Sequence, residues 1–185
     1  ELPDDRKQRY INDYSLSNYD ALVLISEKQI SDYFDKVLHF HSDIKKSVKL
    51  VVNWITSELF AILKINNIEI GDSPINPDNL GKLVKLITSE KISGKIAKDV
   101  FVEMFKTKKS PEEIVRDKGL IQVSNTKDIE IIIDQIINTN KDKVTDYKKG
   151  KKKLLGYFVG LAMKESKGRA NPKILNEILS NKLNK

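Results

Sequence analysis

The 185-residue chain has no cysteine, two histidines, eight glycines and five prolines. Without cysteine there is no disulfide framework, no thiolate nucleophile and no thiolate metal ligand, which suits a reducing compartment; the expected location is cytoplasmic. So few glycines and prolines disfavour a many-turned β fold and favour helices. The longest mainly apolar run, Leu154 to Met163, falls far short of the roughly 18 residues that span a bilayer, so no membrane partner is expected. His39 and His41 are two apart, so on a helix they do not face each other, and no metal site is assigned. Ser93-Gly94-Lys95 ends like a phosphate loop, but the first glycine of that loop would fall at Ser89. There is no Gly-x-Ser-x-Gly, no paired carboxylates in an apolar setting and no Ser/His/Asp arrangement, so no catalytic residue is assigned. The opening Glu1-Leu2-Pro3-Asp4 has neither an initiator Met nor a basic-then-apolar leader, and the chain is expected to be a piece of a longer protein.

What is abundant is lysine, and its distribution is uneven. From Lys141 onward there are 13 basic residues against four acidic, whereas the rest of the chain carries 20 basic and 22 acidic. The net charge of +7 therefore comes from the last quarter. A one-sided positive field on a compact unit is the electrostatic footprint of a polyanion, most commonly a nucleic acid. Only four of the 33 basic residues are arginines. Lysines act as point charges rather than bidentate forks, which favours phosphate over base edges.

The hydrophobic spacing predicts an all-α chain. Pro3 with Asp4 and Asp5 starts a helix reaching about Tyr14, followed by helices near 18–25 and 27–40. The segment 41–66 places Ile44, Val48, Val51, Ile55, Leu59 and Ile62 at spacings of three and four, with Val52 and Leu63 widening the stripe and Trp54 and Phe60 off it. Gly71 to Pro74 breaks the pattern. Asn76-Pro77 starts a helix bearing Leu80, Leu83, Val84 and Ile87, and Ser93 caps one bearing Ile96, Ala97, Val100, Phe101 and Met104. A short helix runs from Ser110 and stops at Gly119. The stretch 119–126 is the expected boundary between a helical domain, 1–118, and a small tail domain, 119–185. The isoleucine-rich run 128–137 invites a strand reading, yet Ile129, Ile132, Ile133, Ile136 and Ile137 follow a helical period. Three more helices are expected at about 140–149, 151–166 and 171–183.

Two places in the tail carry candidate chemistry. Lys148, Lys149, Lys151, Lys152 and Lys153 straddle Gly150 at what reads as a helix start, where cations oppose the dipole unless an anion offsets them. The bland alternative is a solvated helix end. In the link Lys167-Gly168-Arg169-Ala170-Asn171-Pro172, a glycine C-cap is followed by an N-cap. The free N–H groups after Asn171, flanked by Lys167, Arg169 and Lys173, are an expected phosphate site. Gly156 and Gly160 share one helix face, which serves close helix packing or, failing that, backbone approach to a ligand.

Several separated stretches belong together: Glu1-Leu2-Pro3, Arg6 and Arg9-Tyr10; Leu16-Ser17 and Tyr19-Asp20-Ala21; Tyr33-Phe34; Asn53-Trp54; Ile92-Ser93-Gly94-Lys95 and Ala97-Lys98; Gly119-Leu120; and Gly156, Gly160, Met163-Lys164, Lys167-Gly168 and Ala170-Asn171-Pro172. In this order they resemble the C-terminal part of the B subunit of the bacterial tRNA-dependent Asp/Glu-tRNA amidotransferase, over essentially the whole chain. The resemblance implies a helical domain followed by a YqeY-like tail that positions tRNA, working with the A and C subunits of a heterotrimer. It also implies that the A subunit releases ammonia from glutamine while the B subunit uses ATP and Mg²⁺ to amidate Glu on tRNA(Gln) or Asp on tRNA(Asn). The ATP and metal residues of that family lie in its N-terminal domain, so no cofactor is expected on this chain. Where the family often has Gly-Gln-Val-Met, this chain has Gly160-Leu161-Ala162-Met163, so a contact by that glutamine is absent and the face reads as packing. The alternative function is a protein-interaction module that docks the partner subunits or the catalytic domain without touching RNA.

Overall fold

The computed structural model describes residues 1–121 and 126–184; part of the expected boundary, residues 122–125, lies outside them. The chain is all-α, with twelve α-helices and no strand element among the described residues. Two compact units form: Glu1–Ser89 with Asp99–Asp117, and Glu90–Lys98 with Lys118–Lys185.

In the first unit, α1 (Pro3–Tyr14) begins on the expected proline and α2 (Asn18–Leu24) is capped by Ser17, whose side chain accepts from the Asp20 N–H. Tyr10, fully buried, packs edge-on against Phe34 of α3 (Lys28–Leu38), with ring centroids 4.9 Å apart. Arg6 and Arg9 bind Asp32 and Asp35 across these helices, and Arg9 also holds Glu1, whose carboxyl is lowered to about 2 chiefly by that hydrogen bond. The long helical span starts at Ile44 rather than 41, because the Asp43 side chain caps it by accepting from the Lys46 N–H.

That span is not uniformly α. After α4 (Ile44–Asn53), residues Trp54–Leu59 form a π-helical turn, in which the Phe60 N–H reaches back to the Ile55 carbonyl, before α5 (Phe60–Asn66) resumes. A π-helical turn takes more residues per revolution than α. Of the two neighbours on the expected stripe, Leu63 is buried and Ile62 only half-buried, so the inward face falls one residue later after the turn. Trp54 turns inward as well, against Phe101 with ring centroids 5.3 Å apart. A 3-10 turn, Ile70–Asp72, fills the Gly71 break, and α6 (Pro77–Thr88) follows its Asn76 cap. Helices α7 (Gly94–Thr107) and α8 (Pro111–Asp117) come next in the chain.

The second unit is built largely on α9 (Thr126–Thr139), α10 (Lys141–Lys148), α11 (Leu154–Glu165) and α12 (Pro172–Asn184). Its core joins Ile129, Ile133 and Ile136 of α9 with Phe158, Ala162, Leu175, Leu179 and Leu183. The isoleucine run is thus helical, and its period sends Ile129, Ile133 and Ile136 inward while leaving Ile131 outside. No helix among the described residues is long and apolar enough to cross a membrane.

Candidate nucleic-acid interface

The lysine block does not sit at one helix start. Lys148 is the last residue of α10 and Lys149 its C-cap. Gly150, at φ 105, closes that helix: its N–H donates to the Tyr147 carbonyl and the Lys151 N–H to the Asp146 carbonyl, the paired bonds of a Schellman end. Helix α11 begins only at Leu154. Two of the five cations therefore stand at the negative end of α10, where the dipole favours them, and only Lys151, Lys152 and Lys153 precede a positive end. The expected electrostatic penalty is smaller than a single helix start implies.

All five lysines are exposed, but they are not equivalent. Lys151 pairs with Asp146 at 2.8 Å, and its hydrogen bond holds that carboxyl below the usual carboxylate range. The Lys152 ammonium stands 4.2 Å from the centroid of the Tyr147 ring and donates to Asn184 at 3.2 Å. Lys148 and Lys153 have no side-chain partner among the described residues, while Lys149 acts on Asp146 through its charge without a hydrogen bond.

The link from α11 to α12 also differs from expectation. The left-handed C-terminal residue is Lys167 (φ 53), not a glycine, and Gly168 (φ 75) follows it. The Gly168 N–H donates to the Met163 carbonyl at 2.7 Å and the Lys167 N–H to that of Lys164 at 2.9 Å. This turn faces the protein. Ser166 and Asn171 are buried, and the Ser166 hydroxyl accepts from the Ala170 N–H at 3.1 Å. Arg169, half-buried, donates to the carbonyls of Ser166 (3.4 Å) and Gly119 (3.3 Å).

The expected anion site at the start of α12 is not open. Asn171 Oδ1 accepts from the Lys173 and Ile174 N–H groups at 3.0 and 3.4 Å, so the N-cap takes the donors a phosphate would need. Its Nδ2 donates to Glu90 at 3.4 Å, which places a carboxylate at the same helix end. Lys167 and Lys173 remain as exposed side chains without a partner among the described residues, whereas Arg169 serves as a clip. Spacing alone misses this, because Glu90 and Gly119 are remote in sequence.

Gly156 and Gly160 are exposed, and a Cβ built on either meets no atom of the described residues within 4 Å. Close packing within the unit is therefore not their role, and the face they share is open. Leu161, next to Gly160, packs against the core. Between the glycines lies Tyr157, a residue that no sequence pattern singles out. It is 38% exposed, its hydroxyl donates to Asn140 Oδ1 at 3.1 Å, and the Lys143 ammonium stands 4.9 Å from its ring centroid. No local spacing signals that arrangement, since it needs α10 and α11 to meet. Together these groups can hold an extended polyanion: flexible unpaired ammonium groups around an open helix face.

The GatB domain family matches residues 23–183. The B subunit of aspartyl/glutamyl-tRNA(Asn/Gln) amidotransferase from Pelagibacter ubique (strain HTCC1062) is 49% identical over 183 residues, covering 99% of this chain and 37% of that protein. The protein of the same name from Rickettsia felis (strain ATCC VR-1525 / URRWXCal2) is 44% identical, again over 99% of this chain and 37% of the relative. That of Carboxydothermus hydrogenoformans (strain ATCC BAA-161 / DSM 6008 / Z-2901) is 43% identical over 185 residues, 100% of this chain and 38% of the relative. The chain thus spans less than two fifths of the length of these curated relatives.

Proposed function

The chain belongs to the GatB domain family, and on that premise we propose that it is the tRNA-positioning portion of the B subunit of an Asp/Glu-tRNA amidotransferase. Its exposed lysines bind phosphates while chemistry proceeds elsewhere in a complex with the A and C subunits. In this reading glutamine supplies the amide nitrogen, and ATP with Mg²⁺ activates the aminoacyl carboxylate outside this chain. The observation that carries the proposal is the set of exposed, unpartnered ammonium groups at Lys148, Lys153, Lys167 and Lys173, with exposed Lys149 beside them touched only by the Asp146 charge, all in the basic second unit. Point charges of this kind position a nucleic acid without reading its sequence, and selection among tRNAs then follows shape. Lys151 and Lys152 contribute less, being engaged by Asp146, Tyr147 and Asn184. The boundary proposed between helical and tail domains remains 119.

The test is a fluorescence-anisotropy titration of labelled tRNA over a range of salt concentrations. Binding with a steep negative salt slope, weakened in a variant with all five block lysines changed to alanine, supports the proposal. Absence of binding at low salt, or equal binding by the two proteins, overturns it. A second reading has its own support: Tyr19 and Leu22, three apart on α2, are 74% and 46% exposed, a pair suited to docking another protein surface. In that reading the chain docks partner subunits or the catalytic domain without touching RNA, and salt-insensitive protein binding with no RNA binding selects it.

A further inference from the structure

Lys153, the N-cap of α11 in helical conformation, and Tyr157, Gly160 and Lys164 of that helix follow one another at i, i+4, i+7 and i+11, so they form one stripe, and all four are exposed. Lys153 and Lys164 have no side-chain partner among the described residues. Between them the tyrosine is held rather than loose. Its hydroxyl is fixed on Asn140 at 3.1 Å, and its ring meets Phe158 edge-on, with centroids 5.5 Å apart and planes at 73°. Neither Gly156 nor Gly160 presents a side chain to the space beside it. The arrangement is an oriented, partly exposed aromatic in a field of cations, with Lys143 already over the ring.

Phosphate contacts alone do not call for such a ring. The contacts with Asn140 and Lys143 tie α10 to α11, but a polar residue at 157 can hold such a pair too, and the part of the ring left exposed gains nothing by facing water. What an oriented aromatic among lysines recognises is an unpaired nucleotide, whose base stacks on the ring while its phosphates lie against the ammonium groups. A paired helix cannot offer this, because its bases are already stacked on each other. Resting on the proposed tRNA contact, we infer that Tyr157 is a stacking residue for an unpaired nucleotide, so that this surface distinguishes looped from fully paired RNA. The charge surplus of the segment from Lys141 onward argues for a polyanion over an apolar protein partner.

Two RNA probes of equal length and charge test this with the full 185-residue chain: a hairpin with an eight-nucleotide loop containing 2-aminopurine, and a blunt duplex. The wild type is expected to bind the hairpin about tenfold or more tightly than the duplex, in keeping with the cost of removing one stacking aromatic, and to quench the 2-aminopurine. Tyr157→Ala should lose both the preference and the quenching while keeping the affinity for duplex, and Tyr157→Trp should restore them. Equal wild-type affinity for the two probes overturns the inference, as does Tyr157→Ala weakening both alike. Failure of the wild type to bind either probe at low salt overturns the underlying RNA reading instead, which keeps the two failures apart.

Discussion

Arg169 donates to the carbonyl of Gly119, 50 residues earlier in the chain, at 3.3 Å. Its other bond, to the Ser166 carbonyl, stays within its own turn. The guanidinium thus joins the turn before α12 to Gly119, two residues past the end of α8, inside the second unit. Arg169→Ala is expected to lower stability by about 1 kcal/mol, the scale of a hydrogen bond from a charged donor at a partly exposed site. Urea denaturation measures this. The same variant should bind tRNA nearly as well as the wild type at a temperature where both are folded, in contrast to the lysine substitutions.

Two helical glycines should respond oppositely to alanine. A Cβ on Gly81 would lie 2.8 Å from Phe40 Cβ and Cγ, so Gly81→Ala forces a shift in a packed core and should cost about 1–3 kcal/mol. Gly160 lies mid-helix with no atom of the described residues near its Cβ position, so Gly160→Ala should stabilise the protein by about 0.5–1 kcal/mol through backbone entropy and helix propensity. Thermal melts compare the signs. A Gly160→Ala protein that is more stable yet binds tRNA more weakly would show that RNA comes close to the α11 backbone.

Acid should destabilise the first unit through His41. Its Nε2 is buried without a hydrogen-bond partner, and burial, with the Lys85 charge adding to it, lowers the pKa below the ordinary histidine value. The unfolded chain takes up this proton near pH 6.5 and the folded chain only at lower pH, so the unfolded state binds more protons in between. Stability is therefore fully present above about pH 6.5 and falls as pH drops through the folded pKa. The loss should be absent in His41→Phe. Asp32 and Asp146, lowered by Lys28 and Lys151 respectively, lose their contribution only in the more acidic carboxylate range, so the two windows separate in a series of denaturation curves.

Much of the fold is legible in the sequence because it rests on local chemistry. Asn76-Pro77 and Asn171-Pro172 mark helix starts through caps and a fixed φ, and the isoleucine spacing of α9 outweighs the strand preference of branched side chains. What escapes depends on partners remote in sequence or on small departures from the regular period. The π-helical turn at Trp54–Leu59 leaves a stripe that looks regular and wide enough for both Ile62 and Leu63, so spacing does not show that Leu63 is the one buried. Lysine is not an expected left-handed residue, yet Lys167 takes that place while Gly168 follows. The candidate site is legible as a charge surplus, but not in its division between engaged and unpartnered lysines. That division depends on Asp146, Tyr147 and Asn184 reaching their partners in three dimensions.

The most direct test uses that division. In tRNA titrations across salt, Lys148, Lys149 and Lys153 changed together to alanine should reduce the slope of log affinity against log salt by about two to three, near one for each phosphate no longer neutralised. Changing Lys151 and Lys152 should reduce it by clearly less per residue, because their ammonium groups are already engaged. A triple variant with the wild-type slope, or with a reduction per residue matching that of the double variant, would contradict the account.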